Sequence, residues 1–370
     1  MRAARVLIRA LSRPPADAIA PARLLTSRKL AQAGACSGCI LFLIVIFLFR
    51  TPRSRIPPFY DANYSPDGFD IGRMHKTAHA QRLIWQHQNP ADCSNAVFVR
   101  IDLPLSGMGS LVHQVGAYIA LAMNTGRVLV LADQAFSHWG MEDARNGHET
   151  FFMPLTHCNL TKNSHIEDVR GADVVNVMPA NFSSILDSAP VSMPDTPKRE
   201  MKYWVRAQMS AYIMRLNERT SNFLKQNRLA PCEWTMHVRR GEKAREMVLR
   251  PVSKFLAALP RRAKTCVLLN TEDPTVLESM RAALGKRLRY VQRDRSNADF
   301  SSSMNDTLMD LLSLWSSLEA THFVGTLGSN WDRLVDELRR IWAAPAPGCC
   351  TDFIEVGCAE EVCAVDTVNW

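Results

Sequence analysis

From about residue 93 to residue 342 the apolar positions switch repeatedly between two periods. "AVFVRIDL" (96–103) is a short β-rich run. A glycine turn, "SGMGS" (106–110), follows it. "LVHQVGAYIALAMNTG" then places Leu111, Val112, Val115, Tyr118, Ile119 and Ala122 at helical spacing, and Asn124 and Gly126 end that helix. "RVLVLA" (127–132) is the next strand. Strand, glycine turn, helix and strand make a βαβ unit of a parallel sheet. Residues 133–228 are less regular and predict one helix over 199–226. Beyond them the alternation sharpens. Strands are predicted at "WTMHVRR", at "TCVLLNT" (265–271), at "RYVQRD" (289–294) and at "THFVGT" (321–326). Helices are predicted from Pro251, over "DPTVLESMRAAL", over 306–320 and over "NWDRLVDELRRIW", where Trp331, Leu334, Val335, Leu338, Ile341 and Trp342 form the apolar stripe.

Such alternation is an α/β signature with doubly wound parallel sheets. Two stretches of it, before and after about residue 230, predict two Rossmann-like lobes with a cleft between them. The boundaries read as 93–230 for the first lobe, 231–345 for the second and 346–370 for a Cys-rich tail. "TPRSRIPPFYDANYSPDG" is Pro-rich and aperiodic, so residues 50–92 read as a linker.

The charge distribution changes the picture at the N-terminus. The net charge is +8, yet residues 1–55 hold ten of the 44 Lys and Arg and one of the 36 Asp and Glu, which leaves 34 basic and 35 acidic residues elsewhere. A near-neutral remainder argues against a nucleic-acid partner. The uncharged run "AGACSGCILFLIVIFLF" (33–49) is long enough to cross a thin bilayer as one helix. Seven basic residues precede it, so the positive-inside rule places residues 1–32 in the cytosol and the bulk of the chain across the membrane. This predicts a transmembrane helix acting as a type II signal-anchor, in the Golgi or endoplasmic reticulum. A cleaved signal peptide or an Arg-rich transit peptide is the alternative, but the run exceeds the usual apolar segment of about 7–15 residues. Eight of ten cysteines lie beyond it (Cys93, Cys158, Cys232, Cys266, Cys349, Cys350, Cys358, Cys363), which fits disulfides better than zinc, because Cys349-Cys350 does not follow metal-knuckle spacing. Sequons begin at Asn63, Asn159, Asn181 and Asn305.

In open parallel sheets ligands bind beyond the carboxyl ends of the strands. Three polar motifs fall there: "HVRRGEK", "NTEDP" and "GTLGSN". The last opens a helix, whose amides at Gly328, Ser329 and Asn330 favour an anion. Arg239 and Arg240 offer fork-shaped donors to the same anion. Glu272 or Asp273 is placed to accept from a ribose or base. The combination suits a nucleoside diphosphate. No D-x-D triplet occurs, so cations in place of a metal are expected to neutralise a departing diphosphate. The plainer readings are these: Arg239 or Arg240 paired with Glu242 or Glu246, Asp273 as a helix cap, Gly107 and Gly109 as a tight turn, His113 as a packed residue, and Trp315 and Trp331 as core.

In this order and spacing, "HVRRGEK", "NTEDP" and "HFVGTLGSNWDRLVDE" resemble the donor-site motifs of the GDP-fucose-dependent fucosyltransferases. These include the core α1,6, bacterial nodulation and protein O-fucosyltransferases. "GMGSLVHQVGAYIALAMNTGRVLVL" resembles their first-lobe glycine turn and helix. The resemblance is patchy over about 93–345. It implies a GT-B-like, inverting and metal-independent transferase. GDP-fucose would sit on the second lobe, and a glycan or protein acceptor on the first. It matches His237, Arg239, Arg240, Asp273, Ser329 and Asn330 to the family's donor-binding residues; Gly241, Lys243, Thr326, Gly328, Gly107 and Gly109 are placed in the donor site with them, and Arg239 is also expected to be catalytic. The core α1,6 enzymes carry a basic carboxylate ten residues after the His. That position is Met247 here, and Glu246, one residue short, is the candidate base. A transferase for another sugar nucleotide, or a binding protein of the same fold, are the other readings.

Overall fold

The computed structural model describes residues 77–103, 105–133, 135–140, 146–162, 164–168, 197–241, 248–260, 265–292, 303–342 and 352–356. The predicted anchor, most of the linker, Glu242, Lys243, Glu246, Met247 and the four tail cysteines lie outside them. No helix among the described residues is long and apolar enough to cross a membrane.

The parallel α/β character expected from the alternation is present as two sheets. The first holds β1 (Val97–Ile101), β2 (Val128–Leu131) and β3 (His165–Asp168) in the order β2-β1-β3, all parallel. Helix α1 (Thr77–Gln88) precedes it, and α2 (Met108–Thr125) joins β1 to β2. Gly126 ends α2 in the left-handed region, at φ 66°, which a side chain would disfavour. Two further helices, α3 (Pro197–Ile213) and α4 (Glu218–Gln226), lead to the second sheet.

That second sheet contains β4 (Trp234–His237), β5 (Val267–Asn270), β6 (Leu288–Tyr290), β7 (His322–Gly325) and β8 (Asp352–Glu355). Its order is β6-β5-β4-β7-β8, again all parallel. The connections carry α5 (Val252–Ala257), α6 (Pro274–Leu284), α7 (Met304–Leu318) and α8 (Asn330–Trp342). Every residue of β4 and β5 is buried, as in strands covered on both faces. One face of this sheet packs on α5 and α6 through Met236, Phe255, Val276 and Met280.

The other face belongs to a core shared by both sheets. Ile84, Val99, Leu111, Tyr212, Leu311, Phe323 and Leu334 are buried in one continuous cluster. Helices α2, α3 and α8 pack on one another within it. The described residues thus form a single compact unit even though the strands divide into two sheets near residue 230.

Four elements depart from the sequence reading. Residues 77–88, expected as linker, form α1, whose buried Gln81 and Gln88 bond to Gln208 and to the carbonyl of Leu129. The helix expected over 199–226 is two, because Asn217 caps a new helix by accepting from Thr220 N at 2.9 Å. β3 lies in the stretch read as irregular. Residues 352–355, expected as Cys-rich tail, form the edge strand β8. Two disulfides, Cys93–Cys158 and Cys232–Cys266, join described cysteines. The described sequon residues Asn159 and Asn305 are both exposed.

Candidate functional site

The chain runs β4, β5, β6 toward one edge of the five-stranded sheet, then returns to place β7 and β8 on the other side of β4. The strand order therefore reverses between β4 and β7. In sheets of this kind the crevice at that reversal is where ligands bind. "HVRRG" leaves β4 at that point, and "GTLGSN" leaves β7 beside it.

The two motifs are joined by a residue that the site assignment from sequence did not include. Asp332, in the first turn of α8, is fully buried. Its Oδ1 lies 2.5 Å from His237 Nδ1, and its Oδ2 accepts from Thr326 N at 2.8 Å and Thr326 Oγ1 at 3.1 Å. Gly325 makes this possible, because a Cβ there would stand 3.0 Å from Asp332 Cγ. His237 is 6% exposed and tilts against the Trp331 ring at 6.1 Å.

The Arg pair divides in two. Arg239 shares the strand side of His237, two residues back. Its Nη1 donates to Glu272 Oε1, an oxygen that also accepts from Arg240 N at 2.8 Å. Burial pushes the Glu272 carboxyl up, but Arg239, His237 and the Arg240 amide outweigh it and hold it below the ordinary carboxylate range. Arg240 turns away, donating to the carbonyls of Arg239 at 2.9 Å and Arg250 at 2.8 Å. Gly241 follows at φ 64°, the left-handed conformation that lets the chain leave the strand sharply. Arg239 thus pairs with Glu272, from the neighbouring strand end; Glu242 and Glu246, considered from sequence, lie outside the described residues.

Other assigned residues carry structural duties. Asp273 caps α6, accepting from Thr275 N at 2.8 Å and Val276 N at 3.4 Å, which is the plainer of its two readings. In the loop after β7, Thr326 N is engaged by Asp332, Leu327 N by Glu355 Oε2 at 2.6 Å, and Ser329 N by the Thr326 carbonyl at 3.0 Å. Of the amides in this turn that the sequence reading offered to an anion, Ser329 N is thus engaged within the turn. Gly107 is the extended N-cap of α2. At Gly109 a Cβ would lie 2.5 Å from the Asn330 carbonyl oxygen, so this glycine lets α2 close onto the start of α8. Asn330 Nδ2 bonds Ser110 Oγ across the same junction at 2.7 Å. The glycine turn therefore meets the second motif through packing at Gly109.

About two turns beyond this junction lies a second polar cluster. Glu337 of α8 is fully buried. It accepts from Arg206 Nε at 2.8 Å and Nη2 at 2.5 Å, from Ser210 Oγ at 2.9 Å and from His113 Nε2 at 3.0 Å. Burial pushes the carboxyl up, yet Arg206, His113 and their hydrogen bonds bring it to about 2. His113 is held below its ordinary value by burial, against the pull of Glu337. His113 is packed, as the plainer reading expected.

Sequence reasoning missed Asp332 and Glu337 because both carry the polar side of an amphipathic helix pattern. Only the fold buries that side. Among the described residues one group has metal-ligand spacing, Cys93, His157 and Cys158, and its cysteines are joined as a disulfide.

Neither a family model nor a curated protein matches the chain. Among solved structures, NodZ α-1,6-fucosyltransferase soaked with GDP-fucose is 14% identical, covering 66% of this chain and 93% of that one at a TM-score of 0.36. Fucosyltransferase NodZ from Bradyrhizobium is 12% identical, covering 65% and 93% at 0.37. A variant of Arabidopsis thaliana FUT1 in complex with GDP is 10% identical, covering 70% and 71% at 0.42. Likenesses this distant assign no activity.

Proposed function

We propose that the protein is a glycosyltransferase that takes fucose from GDP-fucose and passes it, with inversion, to a glycan or protein hydroxyl. The supporting observation is the meeting of "HVRRG" and "GTLGSN" at the β4–β7 reversal, with a guanidinium and a helix N-terminus at the same strand ends. Leaving-group departure requires charge to be neutralised on the diphosphate. Arg239 supplies a fixed cation there, pinned on one nitrogen by Glu272, and α8 supplies the positive end of its dipole. The reaction on this reading needs no metal. The two sheets serve as GT-B-like halves, with the donor on the five-stranded sheet and the acceptor approaching from the side of the glycine turn. The anchor at residues 33–49 holds the enzyme in the Golgi or endoplasmic reticulum membrane with the described residues in the lumen, where two disulfides are at home.

Calorimetric titration of GDP into wild type, Arg239→Ala and Arg240→Ala tests this reading. Losing one charge-assisted hydrogen bond weakens binding by about 1.5–3 kcal/mol, roughly tenfold to a hundredfold. The expected loss is at Arg239. Arg240→Ala is expected to lower thermal stability more than affinity, since its donors serve backbone carbonyls. A folded Arg239→Ala protein that binds GDP as wild type does makes the stretch structural. Turnover of a sugar-nucleotide panel, with and without chelator, then identifies the donor and the metal requirement.

A further inference from the structure

We infer that His237 is the base of the transfer reaction and that Asp332 is the positioning residue that makes it one; this rests on the reading above. His237 Nδ1 stands 2.5 Å from a carboxylate oxygen, so Nδ1 carries the ring proton of the neutral imidazole. Nε2 is then the acceptor. Asp332 cannot turn away, because Thr326 holds its other oxygen with an amide and a hydroxyl, and Gly325 leaves no side chain between them. Nucleophile activation elsewhere in enzymes uses the same logic, a base oriented by a third group. The charged and titratable groups facing His237 are Asp332 from α8, Glu272 from the end of β5 and Arg239 just past the end of its own strand; the Trp331 ring lies against it.

In the step itself the acceptor oxygen bonds to C1 of the sugar as the bond from C1 to the β-phosphate oxygen breaks. That electron pair leaves on GDP, beside Arg239. The hydroxyl proton passes to Nε2. The imidazolium so formed keeps Nδ1–H on Asp332 and later gives the proton to solvent.

Asp332→Asn is the decisive variant. Its amide can keep the Thr326 bond through oxygen while its NH2 donates to Nδ1, which forces the proton onto Nε2. The ring stays in place, able to donate but unable to accept. The expected result is a fall in kcat of about 10²–10⁴-fold with the donor KM within a few-fold of wild type. His237→Gln is expected to lose kcat at least as severely, again with the donor KM within a few-fold of wild type. Nitrogen-15 spectra of His237 give an independent readout: Nδ1–H and bare Nε2 in neutral wild type, the reverse in Asp332→Asn. Wild-type kcat in Asp332→Asn, or Nε2–H in the wild-type spectrum, overturns the inference. So does a variant that loses GDP affinity with kcat intact, since His237 would then be a phosphate donor. If Asp332→Asn does not fold, Thr326→Val loosens the same carboxylate, and an unchanged kcat there also overturns it. Failure of wild type to bind GDP overturns the underlying reading instead, and is seen before any variant is made.

Discussion

Helix α8 carries two histidine–carboxylate pairs built to different ends. Asp332 holds His237 at the end of β4, while Glu337 holds His113 among α2, α3 and α8. Five residues apart, the two carboxylates point about 140° away from each other around the helix and stand about 7.5 Å apart along it. What separates them is a guanidinium hydrogen-bonded directly to one of them. Glu337 receives two nitrogens of Arg206, so its charge is already matched and burial keeps His113 neutral. Asp332 is bonded to neutral donors of Thr326 besides His237. A matched carboxylate fixes architecture. One that answers mainly to its histidine can follow a proton.

Removing the matched charge is the harshest test of this contrast. Glu337→Gln removes the carboxylate that pairs with the largely buried Arg206, and breaking such a pair costs roughly 3–5 kcal/mol. Denaturant unfolding is expected to show that loss, and a smaller one for Asp332→Asn. Equal losses would erase the distinction.

Acid probes the same pair more gently. Glu337 sits at about 2 against an ordinary 4.5, so the folded state binds its proton less readily than the unfolded state. Its contribution, on the order of 3 kcal/mol, is complete above pH 4.5 and is lost as pH falls toward 2. His113 and His148 act in the same direction at higher pH. Burial lowers both, His148 to about 4, so stability declines as pH drops below 6.5 and the unfolded chain takes up their protons. Unfolding free energies at pH 7, 5 and 3 are expected to fall in that order, with Glu337→Gln giving the flatter curve below 4.5.

A milder change acts on the junction between the pairs. Gly109→Ala puts a methyl 2.5 Å from the Asn330 carbonyl and must push α2 from α8. Overpacking of this kind costs about 1–3 kcal/mol. A shift in the His113 imidazole resonances accompanying the lower melting temperature would show that the junction supports the buried pair.

How far the sequence could be read follows from where each signal is stored. The helix over 330–342 was legible to the residue because its apolar stripe is strong and Trp331, Leu334, Val335, Leu338 and Ile341 keep one period. His237, Arg239, Gly241 and the loop after β7 were legible as strand-end chemistry. α1 was not, because it buries glutamines whose partners are 41 to 127 residues away. β8 was not, because four residues become a strand only beside β7. The break at Asn217 was available in principle, as a capping residue followed by Glu218 in a first turn. Asp332, Glu337 and the pairing of Glu272 with Arg239 depend on which strand lies beside which, and no local pattern holds that.

The edge strand β8 carries a consequence for synthesis. Glu355 takes the amide of Leu327, Val356 N donates to the Gly325 carbonyl at 3.0 Å, and β8 is the only neighbour of β7 on that side. The loop that shapes the crevice is therefore completed by residues translated some thirty positions after it. A nascent chain halted before residue 355 has made both motifs and still lacks the clasp that sets one of them. That loop gains its bonds to Glu355 and its strand partner only when β8 has cleared the ribosome.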